Sequence, residues 1–168
     1  IRRMPKPVVA SVHGAAAGAG FSLAMACDMV IAADNSTFTL AYSMLGVSPD
    51  GSSTYSLPRL IGYHRAMELV LLSERFGADK AKEMGLINIT APAEKLDAET
   101  VALAERLAAG PTAAYGRAKV LLNKSLERGI SDQLDEEAQG IMESSRTEDF
   151  KEGVDAFLNK RKPQFTGK

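Results

Sequence analysis

From Pro7 to Pro58 the chain has no lysine or arginine, and its only charged residues there are Asp28, Asp34 and Asp50. A stretch of that length has few charged groups to present to water, so it belongs in a sheet, an interface or a pocket. The rest of the chain carries charges of both signs, mostly at helical spacing. That pattern predicts surface helices with one apolar face each. The 168 residues suffice for one domain with a real core. The expected division is an α/β core over residues 1–91 and a helical region over 92–168.

Within the uncharged stretch the β-branched run Pro7 to His13 reads as a buried strand. Gly14 to Gly20 reads as a small-residue turn that opens a helix over Phe21 to Cys27. Met29 to Ala33 reads as a second buried strand and Phe38 to Ala41 as a third. Tyr42 to Ser53 is rich in Gly, Pro and Ser and reads as a loop. Helices are predicted over 54–61, 63–73 and 78–84, then a strand over 86–90, then helices over 94–109, 112–128, 132–146 and 148–160. Strand, tight turn, helix and strand in that order indicate an α/β fold.

Composition excludes several classes. Twenty basic residues against 21 acidic ones leave a net charge of −1, which argues against nucleic acid or an anionic membrane as the main partner. No apolar run approaches the roughly 20 residues that span a bilayer. Ile1 to Lys6 is basic, yet no signal-peptide cleavage pattern follows it. The single cysteine, Cys27, makes no internal disulfide and no Cys-based metal cluster, which fits a reducing cytoplasm.

Four elements have residues suited to chemistry. The turn Gly14–Gly20 lets a ligand approach the backbone at a helix start, where N–H groups favour a phosphate or a developing oxyanion. It equally suits tight helix–strand packing. It matches neither G-x-x-x-x-G-K-[ST] nor G-x-G-x-x-G, since Leu23 stands where the last glycine belongs. Ser22 in Gly20-Phe21-Ser22-Leu23-Ala24 misses the nucleophile-elbow pattern at its last position. The two histidines give it no evident base, His13 reading as core and His64 as solvent-facing. Pro49-Asp50-Gly51 is ordinary turn chemistry. Asp50 is nevertheless the sole carboxylate of a long uncharged loop, and among apolar neighbours it would suit a general acid or base. The basic ending Phe157 to Phe165 reads either as a solvated helix end or as a cationic patch for a phosphorylated ligand.

Several of these motifs together resemble the enoyl-CoA hydratase/isomerase (crotonase) superfamily. They are Lys6-Pro7-Val8-Val9-Ala10 with Gly14 to Asp28, Leu45 to Gly51 followed by Leu57 to Gly62, Ala81 to Ile87, and Glu152 to Arg161. The likeness covers nearly the whole chain. It implies a crotonase-like α/β spiral, here its C-terminal portion with a helical tail. The family's first third, which supplies one oxyanion donor and much of the CoA site, has no counterpart in this sequence, and a chain lacking that donor is expected to be nearly inert alone.

The resemblance also implies roles. An acyl-CoA thioester would place its oxygen between two backbone N–H groups, one of them at Ala19. Hydratases of the family use two glutamates, and those positions match Ser22 and Tyr42. Members with an acid at the Asp50 position include double-bond isomerases and 4-chlorobenzoyl-CoA dehalogenases, the latter with Trp where this chain has Tyr42. The ending Lys160 to Lys168 is similar to that of the ring-epoxide isomerases of phenylacetate degradation. The expectation is therefore an acyl-CoA isomerase with Asp50 as proton relay. Phe21, Ser22, Tyr42, Pro49 and Gly51 would line the acyl pocket and Lys160 would contact CoA. No metal or separate cofactor is expected, CoA being part of the substrate. Homotrimers or paired trimers are expected, without nucleic acid or membrane as partner. A hydratase using other groups and a non-catalytic scaffold subunit remain alternatives.

Overall fold

The stretch from Pro7 to Pro58 supplies four strands to two small sheets, each completed by a strand from later in the chain. The computed structural model describes residues 1–168, with strands β1 (Val9–Val12), β2 (Ala15–Ala17), β3 (Met29–Ala33), β4 (Thr37–Thr39), β5 (Phe76–Gly77) and β6 (Ile89–Ala91). The helices are α1 (Ala19–Met25), α2 (Ser53–Ile61), α3 (Tyr63–Leu72), α4 (Ala78–Glu83), α5 (Leu96–Ala108), α6 (Thr112–Lys124), α7 (Ile130–Ser144) and α8 (Glu148–Leu158). Short 3₁₀ turns cover Ser43–Leu45 and Ala93–Lys95. The chain divides into two units, one of Ile1 with Val8–Ala102 and one of Arg2–Pro7 with Leu103–Lys168.

In the first unit β3 lies between β1 and β6, all parallel, with Val9 opposite Met29 and Ile31 opposite Ile89. Strand side chains alternate between faces, and in β3 both faces are buried. Val30 and Ala32 enter one apolar cluster with Phe21, Ala24 and Met25 of α1, whereas Ile31 and Ala33 enter another with Ala91 and Leu96. This accounts for the continuous apolar run Met29 to Ala33, as parallel sheets covered on both faces require. The second sheet is β2-β4-β5, with β2 parallel and β5 antiparallel to β4. Phe21, Phe38 and Phe76 meet beside it, Phe21 edge-on to Phe38 at 6.1 Å and to Phe76 at 6.2 Å.

The second unit is helical. α6 packs on α7 and on residues 2–7. A Cβ at Gly116 would lie 2.6 Å from the Pro5 carbonyl oxygen, so that crossing requires glycine. The buried Lys119 donates from Nζ to the Lys6 carbonyl at 3.3 Å. After α8 the chain folds back on it. The Glu152 carboxylate takes both Arg161 nitrogens, at 2.6 and 2.7 Å, and the Gln164 N–H at 2.6 Å. Asp149 accepts from the N–H groups of Thr166 at 2.7 Å and Gly167 at 2.9 Å. No helix of the chain is long and apolar enough to cross a membrane.

Several expectations are corrected. Ala15–Ala17, expected within a turn, is a strand paired with Thr37–Thr39. Gly14, at φ +71°, swings the chain out of the first sheet, and three alanines give little β signal of their own. The helix after them begins at Ala19 rather than Phe21. The last strand of the first sheet is Ile89–Ala91, because Leu86 and Ile87 serve as core residues ahead of it. His13 is exposed, not core, and the run Ser43 to Ser48 within the uncharged stretch is exposed as well. Arg161 in the basic ending is engaged by Glu152 and Asp155, so it is not a freely presented cation.

Candidate active site

The sequence places a glycine where the chain leaves β2. Gly18, at φ +52°, donates its N–H to Thr39 O at 3.0 Å and turns the chain into α1. The first intrahelical bond of α1 is Ser22 N–H to Gly18 O at 3.0 Å. The N–H of Ala19 precedes it and has no acceptor within the helix. Ala19 itself is exposed. The aromatic carbon bearing the Tyr42 hydroxyl stands 4.0 Å from where a Gly18 Cβ would be, so the tyrosine ring leans on the backbone immediately before Ala19.

Tyr42 follows β4 through Ala41, a non-glycine residue held at φ +56°. Its carbonyl accepts from the N–H groups of Leu45 at 3.0 Å and Val47 at 3.2 Å, which closes the 3₁₀ turn. Ser43 and Thr39 tie the same segment to Ser73, the C-cap of α3, at 2.6 and 2.9 Å. The loop then runs through the half-buried Pro49, whose ring fixes its φ, to Asp50. The Asp50 carbonyl accepts from Ser53 N–H at 3.1 Å and Ser53 Oγ at 2.8 Å, at the start of α2. Gly51, at φ +59°, has no room for a side chain, since a Cβ there would sit 2.7 Å from Ser22 Cβ. Left-handed residues at Gly18, Ala41, Gly51 and Ser52 thus crowd one short region. The non-glycine ones each cost on the order of 1–3 kcal/mol, a strain typical of functional loops.

Three side chains meet there. The Tyr42 hydroxyl donates to Asp50 Oδ1 at 2.5 Å and lies 3.1 Å from Ser22 Oγ, which also points at Gly18 O at 3.2 Å. With the phenol proton committed to the carboxylate, the single serine proton is shared between the phenol oxygen and Gly18 O. Burial pushes the Tyr42 phenol above its ordinary pKa, and the Asp50 carboxylate adds to the rise. The Ser22 hydroxyl and the Asp50 N–H act in the opposite direction. The group therefore stays a protonated donor at neutral pH.

The expected site residues fall into three sets. Ala19, Ser22, Tyr42, Pro49, Asp50 and Gly51 all belong to the first unit, where Ser22 bonds to Tyr42, Tyr42 to Asp50, and Gly51 lies against Ser22. Phe21 is corrected from pocket wall to core, because its ring has no accessible surface and packs on Phe38 and Phe76. Lys160 belongs to the second unit, where it is exposed at φ +52° just past α8. Asp50 is exposed rather than held among apolar neighbours, with one oxygen tied inward to Tyr42. Ser22 has no imidazole partner, so a serine nucleophile with a histidine base is not assembled here. Sequence reasoning missed Ser53 and Ala41. A serine three residues after the aspartate was the available signal for Ser53; Ala41 carries none.

The family profile for enoyl-CoA hydratase/isomerase matches residues 1–168. The chain is 44% identical over 164 residues to a probable enoyl-CoA hydratase of Rhodobacter capsulatus, covering 98% of this chain and 64% of that protein. It is 43% identical over 168 residues to the 1,2-epoxyphenylacetyl-CoA isomerase of Escherichia coli, covering all of this chain and 64% of the relative. A crystal structure of an enoyl-CoA hydratase from Polaromonas superposes with a TM-score of 0.94 at 42% identity, covering 99% of this chain and 65% of that one. The chain thus spans just under two thirds of the length of these relatives. A glycine-turned helix start, a tethered aspartate and likeness along the entire sequence converge on one conclusion: the chain belongs to the enoyl-CoA hydratase/isomerase family, with the crotonase-like α/β fold.

Proposed function

We propose that this protein is an acyl-CoA isomerase that removes a proton next to a thioester carbonyl and returns it elsewhere, shifting a double bond or rearranging a ring epoxide. Asp50 carries the proton. The Ala19 N–H donates to the thioester oxygen as negative charge develops there. One such backbone donor contributes about 3–4 kcal/mol to lowering the barrier. Tyr42, Pro49 and Gly51 shape the wall beside the acyl group, Ser22 lies fully buried behind Tyr42 rather than in the wall itself, and Lys160 contacts CoA. The reaction needs no separate cofactor, and the protein works in the cytoplasm as a homotrimer or paired trimers. One observation carries the isomerase reading. The two positions where the resemblance places a hydratase's glutamates hold hydroxyls, Tyr42 bonded to the single carboxylate Asp50 and Ser22 bonded to Tyr42. One tethered acid suits moving one proton more than orienting and splitting a water between two carboxylates.

The relative named as a probable hydratase supports a second reading, water addition managed by other groups. One assay on the full-length protein decides between them. With a 3-enoyl-CoA, isomerisation raises enone absorbance, whereas with crotonyl-CoA hydration lowers it. The expected result is a rise with the first and little loss with the second, with Asp50→Asn lowering turnover by about 10²–10⁴-fold. Robust hydration of crotonyl-CoA overturns the isomerase assignment.

A further inference from the structure

We propose that Tyr42 is the positioning residue of the site: its hydroxyl, backed by Ser22, holds Oδ1 of Asp50 so that Oδ2 alone exchanges the proton. The inference rests on the reading of Asp50 as proton carrier and specifies how that carrier is aimed.

An exposed aspartate on a loop ordinarily rotates about two side-chain bonds and presents either oxygen. Here the Asp50 backbone is fixed by two bonds from Ser53 to its carbonyl, and its side chain by one bond at 2.5 Å from Tyr42. Oδ2 carries no hydrogen bond within the chain. The tether is anchored in layers. Asp50 is exposed, Tyr42 is 9% exposed and Ser22 has no exposure at all. The Gly51 backbone closes against the Ser22 side chain, so the loop carrying Asp50 rests on the helix carrying Ser22. Tyr42 is thus a rigid strut between the packed interior and one oxygen of the acid. Such an arrangement leaves the carboxylate charge in place, withdraws one oxygen from proton transfer and sets the direction in which the other faces. A side chain fixed in this way returns a proton to one face of a planar enolate.

The experiment uses the full-length protein and a 3-enoyl-CoA in deuterium oxide. Tyr42→Phe keeps the ring and removes the tether. The expected result is a fall in kcat of about 10–100-fold, the effect of losing a hydrogen bond to a charged group, with KM changed little. Deuterium, delivered to one face by the parent enzyme, is then found on both. Ser22→Ala leaves the phenol in place without its backing and should give a smaller fall in kcat with partial loss of facial selectivity. It also serves as the second probe if Tyr42→Phe folds poorly, with thermal melting and binding of a saturated acyl-CoA reporting the fold. Unchanged kcat and unchanged facial selectivity in folded Tyr42→Phe overturn the inference, as do a raised KM with unaltered kcat. Full turnover in Asp50→Asn overturns instead the underlying reading of the acid. Loss of turnover in Asp50→Asn together with a silent Tyr42→Phe leaves the acid standing and removes the strut.

Discussion

Gly51 and Ser22 meet at the tightest point of the site. An added methyl at Gly51 faces both a positive φ and a Cβ–Cβ approach of 2.7 Å. Gly51→Ala is expected to destabilise the fold by about 1–3 kcal/mol through overpacking, seen as a lower Tm. Pairing it with Ser22→Gly is expected to recover part of that loss, since the second change removes the colliding atom. Asp50 illustrates how far a sequence reads at this scale. Its isolation in an uncharged loop marked it out. Its inward bond to a tyrosine eight positions earlier depends on the left-handed turn at Ala41, for which alanine gives no local signal. Phe21, expected in the pocket on the resemblance alone, packs in the interior, where its ring meets Phe38 and Phe76.

Among the elements, β3 was the most legible because burial on both faces leaves an unbroken apolar run. Ile31 has no accessible surface and lies in the cluster that joins β6 to α5. Ile31→Ala is expected to cost about 2–5 kcal/mol, measurable by denaturant unfolding. β2 was illegible for the opposite reason. Its three alanines are extended only because β4 offers a parallel partner, a tertiary cause with no trace in the local sequence. The boundaries of α6 and α7 fell within a few residues of expectation, because Gly110-Pro111 and Gly129 punctuate the chain.

At the scale of the whole molecule the chain divides into two units. In the second, the segment after α8 is strapped to that helix by carboxylates. Arg161 and the Gln164 N–H hold the Glu152 carboxyl down to about 2. Because its folded pKa lies below the ordinary value, the contact contributes fully above the unfolded pKa near 4.5 and is lost as pH falls toward 2. Amide exchange at Gln164 is therefore expected to stay slow from neutral pH to about 5 and to accelerate, relative to intrinsic rates, as the pH falls through that lower window. Glu152→Gln is expected to show the faster exchange already at neutral pH.

The contact between Ser22 and Gly51 also bears on how such a protein changes its chemistry over generations. A longer acidic side chain at position 22 finds no vacant volume, with a glycine backbone on one side and a phenol on the other. Ser22→Glu by itself is then a dead end, and a path toward a two-acid centre needs linked substitutions at 42 and within the 49–51 loop. The order in which those substitutions arise would decide whether each intermediate remains folded, making this trio a natural place to look for epistasis in a combinatorial library.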